Sequence, residues 1–422
     1  MCRAKAVIVL FAGTLVLSSV AECVAEGEWT QWRGPNRDGQ VAGTEWPAKL
    51  EGSLKEMWSV DLGPSYSGPI VRGDLVFTTE TVDEKFERVT AFNRYNAGEK
   101  VWEYQWEGAM KVPFFARANG SWIRATPALD EDTIYVAGIR DVLVALDLKT
   151  GEQKWKLDFV EELESPLPSF GFVSSPLIDG DVLYVQAGGS VTKINKKNGE
   201  IIWRAMSDGG GMFGSAFSSP VIEVVDGKRQ LVVQTRQAMV GISMDDGEVL
   251  WSQDVPAFRG MNIVTPTKIG NDFFTSSYGG RSFLYKIDKT EDGFTVSEKW
   301  NNKAQGYMST PVVIDGHIYL HLRNRRFTCI DATTGEEKWR TKPFGQYWSL
   351  LAQGNLVLAL DERGELLLID ANPEEFKILD RMTISEDPTW AHVAYDKGQL
   401  FVRALNGLTA YKWGVDQQAS VK

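Results

Sequence analysis

The chain has 422 residues, with 45 basic against 56 acidic side chains, a formal net charge of −11 and three cysteines. A surface of that sign opposes sequence-independent binding to nucleic acid, and three cysteines supply no disulfide framework. The length would hold two or three average domains, but one repeat runs through nearly all of it, so a single large domain is expected.

Residues 1–25 read as a cleaved secretory signal. Arg3 and Lys5 precede an uncharged stretch over 6–21, and small residues stand at Ser19 and Ala21. The apolar run is too short and too early for a stable membrane span. The mature chain is therefore expected to lack a transmembrane segment, with cleavage after Ala21 or Ala25. Glu22 stands before Cys23 where lipidation wants a small residue, so no lipid anchor is expected there. The product is expected to be periplasmic or otherwise exported. Residues 26–55 follow as an N-terminal arm.

From residue 57 a phrase recurs, clearest as Leu146-Asp147-Leu148-Lys149-Thr150-Gly151-Glu152-Gln153-Lys154-Trp155. Its variants end at Trp102, Trp203, Trp251, Trp300 and Trp339, and Trp58 closes a partial copy. Ahead of each full copy a small residue precedes proline and an apolar stretch, at Pro69, Pro127, Pro176, Pro220, Pro266 and Pro311. From Pro127 onward the prolines lie 44 to 49 residues apart, the range of a four-stranded propeller blade. The segments are β-branched and aromatic and bounded by turn residues, which excludes helical solenoids. Each unit parses as a proline strand, an Asp-Gly turn, an alternating strand, a third strand ending in Asp or Asn, a Thr-Gly turn and a Trp strand. Glycine in those turns supplies the positive φ that tight hairpins require. Burying ~200 Å² of indole at ~25 cal/mol/Å² is worth on the order of 5 kcal/mol gross, so Trp58, Trp102, Trp155, Trp203, Trp251, Trp300 and Trp339 need no ligand to explain them.

Two weaker repeats cover 347–379 and 390–413, and the last supplies only three strands. The stretch 56–62, with Trp58, provides the fourth. The expected architecture is an all-β, eight-bladed propeller over 57–413, closed by that N-terminal strand, with a tail at 414–422. A monomer is expected.

These repeats, with Ala-Leu-Asp, Thr-Gly-Glu and a Trp, resemble the pyrroloquinoline-quinone (PQQ) repeat family of eight-bladed propellers. The resemblance covers residues 57–413 and implies the fold. One branch of that family, the quinoprotein dehydrogenases, implies PQQ with calcium in the mouth, commonly over a pair of adjacent half-cystines. This sequence has no adjacent cysteines and no haem-attachment motif. The chain is more similar to the other branch, the non-catalytic propeller subunit of the outer-membrane β-barrel assembly machinery. That likeness implies a binding or scaffold module with no cofactor. A PQQ-dependent oxidoreductase is the alternative.

A ligand or partner protein is expected at the mouth of the central channel, where innermost strands converge. Three residues before each proline stand Tyr66, Arg124, Val173, Phe217, Ile263 and Met308, with Tyr347 and Trp390 in the weaker repeats. These side chains are expected to form one ring. The feeding loops add Phe114, Phe115, Arg117, Trp122 and Arg259. The arginines suit an anionic ligand, since a guanidinium pairs bidentately with carboxylates. The loop carrying Phe114 and Phe115 is expected to bind a partner, while aromatics that merely plug the channel are the competing expectation. His317, His321 and His392 offer no third ligand at metal-site spacing, and no Gly-x-Ser-x-Gly elbow occurs.

Overall fold

Alternating β-branched strands with apolar side chains on both faces cannot stand alone in water and must be sandwiched between neighbours. The chain meets that demand with eight four-stranded antiparallel sheets arranged as the blades of a propeller. This is a computed structural model that describes residues 28–212, 214 and 216–414; the expected signal sequence, Cys23 and the expected tail beyond 414 lie outside the described residues. Blades 1 to 7 span residues 70–107, 128–158, 177–205, 221–254, 267–302, 312–340 and 348–383. Blade 8 takes three strands from 394–413 and its outermost strand from Leu54–Asp61, which pairs with Gly407–Trp413 and sets Trp58 opposite Ala410. The expected closure by an N-terminal strand is observed.

One device recurs in all eight blades. The register between third and fourth strand slips at the same place, as between Ala145 and Leu146, leaving Lys154 unpaired just before Trp155. A bulge of this kind bends and twists its strand, and here it aims the tryptophan at the next blade. The Trp102 indole donates to Leu148 O at 3.0 Å, Trp155 to Lys196 O at 2.9 Å, and Trp300 to Ala332 O at 2.9 Å. Each ring also lies on the turn glycine of its neighbour. A Cβ on Gly151 would stand 2.6 Å from Trp102 Cε3, and one on Gly335 would stand 2.5 Å from Trp300 Cδ2. The Thr-Gly-Glu glycine thus answers two needs, a φ near +74° and a seat for an indole. Where blade 5 lacks that glycine, Trp251 turns back into its own blade and donates to Gln230 Oε1 at 2.7 Å. In blade 7, Phe376 takes its place, 5.4 Å from the Trp339 ring.

The small residue before proline has an equally definite task. Gly68 N donates to Thr126 Oγ1, Thr126 N to Ser175 Oγ, Ser175 N to Ser219 Oγ, Ser219 N to Thr265 Oγ1 and Thr265 N to Thr310 Oγ1, over 2.9 to 3.3 Å. These bonds form a belt around the channel that satisfies buried backbone donors. Proline suits the next position because the first residue of a strand need not donate.

The arm enters the channel from the end opposite the mouth, where the turns at Gly73 and Lys397 lie against Glu28. Trp29 O accepts from Val71 N, Thr30 O from Leu129 N and Gly39 O from Ala352 N, so the arm covers the exposed edges of innermost strands. Arg33 is 1% exposed and donates to Thr310 O and Pro311 O at 2.5 and 2.6 Å. Arg37, 4% exposed, donates to Ser175 O and Pro176 O at 3.0 and 2.8 Å on another side of the channel. Burial lowers both guanidinium pKa values, to about 10 and about 9. The channel is plugged, as one expectation held, but by the arm rather than by the loop aromatics.

Candidate functional site

The hydroxyl belt fixes where each innermost strand begins, and so fixes the residue two places before it. Tyr66, Arg124, Val173, Phe217, Ile263, Met308, Tyr347 and Trp390 all line one cavity of about 180 Å³ at the mouth. The expected ring is therefore a single surface. Trp390 lies between Tyr66 and Tyr347, with ring centroids at 5.4 and 5.8 Å and interplanar angles of 24° and 9°. Across the cavity Phe170 meets Phe217 edge-on at 5.6 Å.

Trp32, from the tip of the arm, also lines the cavity. It meets His392 edge-on at 5.4 Å, and the Arg33 and Arg37 guanidiniums stand 5.6 and 5.3 Å from its ring. His392 lies 3.2 Å from the Tyr347 hydroxyl, and burial, then the Arg33 charge, lower its pKa to about 3, so the imidazole is neutral at ordinary pH. Sequence reasoning missed Trp32, His392 and Tyr307 as lining residues. The signal for His392 was present, because it occupies the belt position of the last repeat.

Not every expected residue faces the cavity. Arg117 is exposed on the 3-10 turn Phe114–Asn119, and Arg259 lies over Phe258 with its guanidinium 5.2 Å from the ring; neither lines the cavity. Trp122 does not line the cavity; it holds Arg124 through its backbone carbonyl. Arg124 alone of the arginines reaches the cavity, because its Nε and Nη2 are tied to Trp122 O and Gly120 O at 3.2 and 2.9 Å. The arginine that organises the loops is Arg236. It donates to Gly260 O and Arg259 O at 2.6 and 2.8 Å and sits 4.6 Å from the Phe217 ring.

Around the mouth stand large apolar side chains with little cover. Phe114 is 79% exposed, Phe115 55% and Phe258 50%. Phe114, Phe115, Phe170 and Phe217 follow one another at centroid distances of 5.5, 6.2 and 5.6 Å, so one aromatic run leads from the outer crown into the cavity.

The lining contains no Asp, Glu or Cys. Calcium takes six to eight oxygen ligands, carboxylates prominent among them, and the hydroxyls at this level are engaged in the belt. PQQ with calcium therefore does not fit these residues, and no group of three metal-ligating side chains occurs among the described residues. The one carboxyl whose charge bears on Arg124 is Glu87, which accepts from Ile139 N at 2.9 Å and Trp106 Nε1 at 3.1 Å. Burial pushes its pKa up to about 8, so at neutral pH it is mostly protonated and leaves Arg124 uncompensated.

Asp141, in the next blade, is similar. Its Oδ2 accepts from Gly188 N at 2.7 Å, its Oδ1 is buried without a partner, and burial raises its pKa to about 7. A carboxyl raised on folding contributes stability in full below its unfolded pKa and loses it as pH rises through the folded value. Asp141→Asn keeps an acceptor for Gly188 and carries no charge, and asparagine tolerates the φ of +63° here. We expect it to stabilise the protein by on the order of 2 to 4 kcal/mol at pH 8 and by almost nothing near pH 4. Urea midpoints across that range check this; a pH-independent difference would mean that Asp141 does not titrate on folding.

Comparison with known proteins agrees with this architecture. The family model described as outer membrane protein assembly factor BamB matches residues 85–341. The BamB of Yersinia pestis is 22% identical over 265 residues, 58% of this chain and 63% of its own length. That of Moranella endobia is 22% identical over 297 residues, 65% of this chain and 69% of its own. The chain thus matches somewhat less than two thirds of the Yersinia protein. Among solved structures, BamB from Moraxella catarrhalis superposes with a TM-score of 0.62 at 14% identity, covering 86% of this chain and 99% of that one. Quinohemoprotein alcohol dehydrogenase from Comamonas testosteroni gives 0.67 at 13%, covering 95% and 83%. At such identities the superpositions carry the fold and not the chemistry, so the dehydrogenase match says nothing of catalysis. The family model spans more than half of the sequence, from within blade 1 to the end of blade 6, and by that match the chain belongs to the outer membrane protein assembly factor BamB family.

Proposed function

We propose that this chain is an exported, non-catalytic binding module that docks an apolar segment of another polypeptide on the crown around its mouth. The observation that carries the reading is the exposure of Phe114, Phe115 and Phe258 at the rim. Large apolar groups left in water around a concave surface mark an interaction site, and aromatics dominate the energetics of such sites. The missing carboxylate and cysteine in the lining speak against acid–base or nucleophilic chemistry in the cavity. Export rests on the signal-like residues 1–25. The family name makes an outer membrane protein, still unfolded, the first partner to offer.

The test uses a fluorescently labelled outer-membrane barrel protein, unfolded in urea and diluted into the mature chain. Phe114→Ser with Phe115→Ser should weaken binding by about tenfold or more, as loss of a hot spot worth about 2 kcal/mol does. The thermal midpoint should stay within about 2 °C, because both side chains are already largely solvated. Undiminished binding would remove this loop from the interface.

A further inference from the structure

The mouth cavity is closed below by the arm, with Trp32 in its lining, so no chain threads through it. A space of about 180 Å³ is of the order of the ~150 Å³ engineered cavity that takes up benzene, and admits one ring-sized apolar group. Its walls at Val173, Phe217, Ile263 and Met308 are apolar, and Arg124 is the one charged side chain in the lining, since His392 is neutral. With Nε and Nη2 tied to backbone carbonyls, the Arg124 guanidinium is held in place and Nη1 is left for a ligand. Arg33 and Arg37, against Trp32, add positive charge, that of Arg33 partly offset by the Asp38 carboxylate.

We infer that the mouth cavity takes a carboxylate carried on one ring-sized apolar group, with the carboxylate on Arg124 and the ring against Phe217 and Met308. Two sources share that chemistry, a free small acid and the last residue of a polypeptide. The aromatic run from Phe114 to Phe217 favours the second, because a chain lying on the crown would reach a dead-ended cavity with its terminus. A free C-terminal carboxylate meets Arg124 as its counter-ion, whereas an N-terminal ammonium would be repelled; capture of a terminal carboxylate is a known mode of peptide recognition. This choice of source rests on the polypeptide-docking reading above, while the cavity's own chemistry does not.

The experiment titrates the mature chain, by calorimetry, with N-acetylphenylalanine, with its amide, and with an eight-residue apolar peptide ending in phenylalanine, free or amidated. The free acid of each pair should bind about tenfold tighter than the amide, the difference a charge-assisted hydrogen bond makes. Arg124→Gln should erase that preference. Met308→Trp, which fills the cavity without touching the Arg124 tether, should abolish binding of both acids. Equal binding of acid and amide, or undiminished binding to the Met308→Trp variant, overturns the inference. A peptide that binds no tighter than the small acid overturns the chain terminus as the source. Phe114→Ser with Phe115→Ser separates the two readings: it should weaken the peptide alone, and if it weakens neither ligand while Met308→Trp still abolishes both, the docking crown fails and the cavity stands.

Discussion

Trp102→Ala should cost about 4 kcal/mol of unfolding free energy, the usual loss for a buried aromatic that leaves a hole. Gly151→Ala should cost about 3 kcal/mol through the same contact, part from the left-handed backbone and part from overpacking. At Gly151 the φ is +74° and an added Cβ would stand 2.6 Å from the indole. Once the indole is gone, only the backbone part of the Gly151 cost remains. The double variant should therefore be less destabilised than the sum of the two by about 2 kcal/mol, a coupling typical of residues in contact. Additivity to within a few tenths of a kcal/mol in urea denaturation would mean that indole and glycine do not form one joint. The repeat of this joint around the ring makes its strength a property of the whole propeller.

Arg37→Glu should be nearly as damaging. It sets a carboxylate against Ser175 O and Pro176 O in place of a donor that reaches both. An unpaired buried charge of this kind costs about 3 to 5 kcal/mol, and the arm has a cheaper course, which is to leave the channel. Limited proteolysis should then cut within 28–50 in the variant and not in the parent. Arg37→Met should do much less. It orphans the same two carbonyls at about 1 to 3 kcal/mol each, but it also relieves the desolvation that lowers the Arg37 pKa to about 9. Equal damage from the two substitutions would show that the lost hydrogen bonds, and not the charge, hold the arm.

The ring at the mouth is legible in the sequence, because proline and the residue before it mark the start of the innermost strand in six repeats and counting back is then geometry. Tyr347 and Trp390 came from the corresponding place in the weaker repeats, which lack that proline. Arg117 and Arg259, taken from the feeding loops on the strength of the same side chain as Arg124, do not reach the cavity. What separates them is the course of the loop: Arg124 is held by carbonyls two and four residues away, whereas Arg259 has a φ of +50° and gives only its carbonyl to Arg236.

Eight blades, their closure by the strand around Trp58, the glycine in each Thr-Gly turn and the small residue before each repeat proline follow from the order of residues alone. Each is set by a short-range rule, a turn φ, a strand period or a spacing between repeats, that the sequence states again in every blade. The plug in the channel is another matter. Arg33 and Arg37 reach backbone carbonyls 277 and 139 positions away, and a carbonyl oxygen belongs to every residue, so no pattern of side chains announces the pairing. Only the closed ring brings those carbonyls together around one axis, and only there does the arm find acceptors enough to hold two buried cations and set Trp32 as the floor of the mouth.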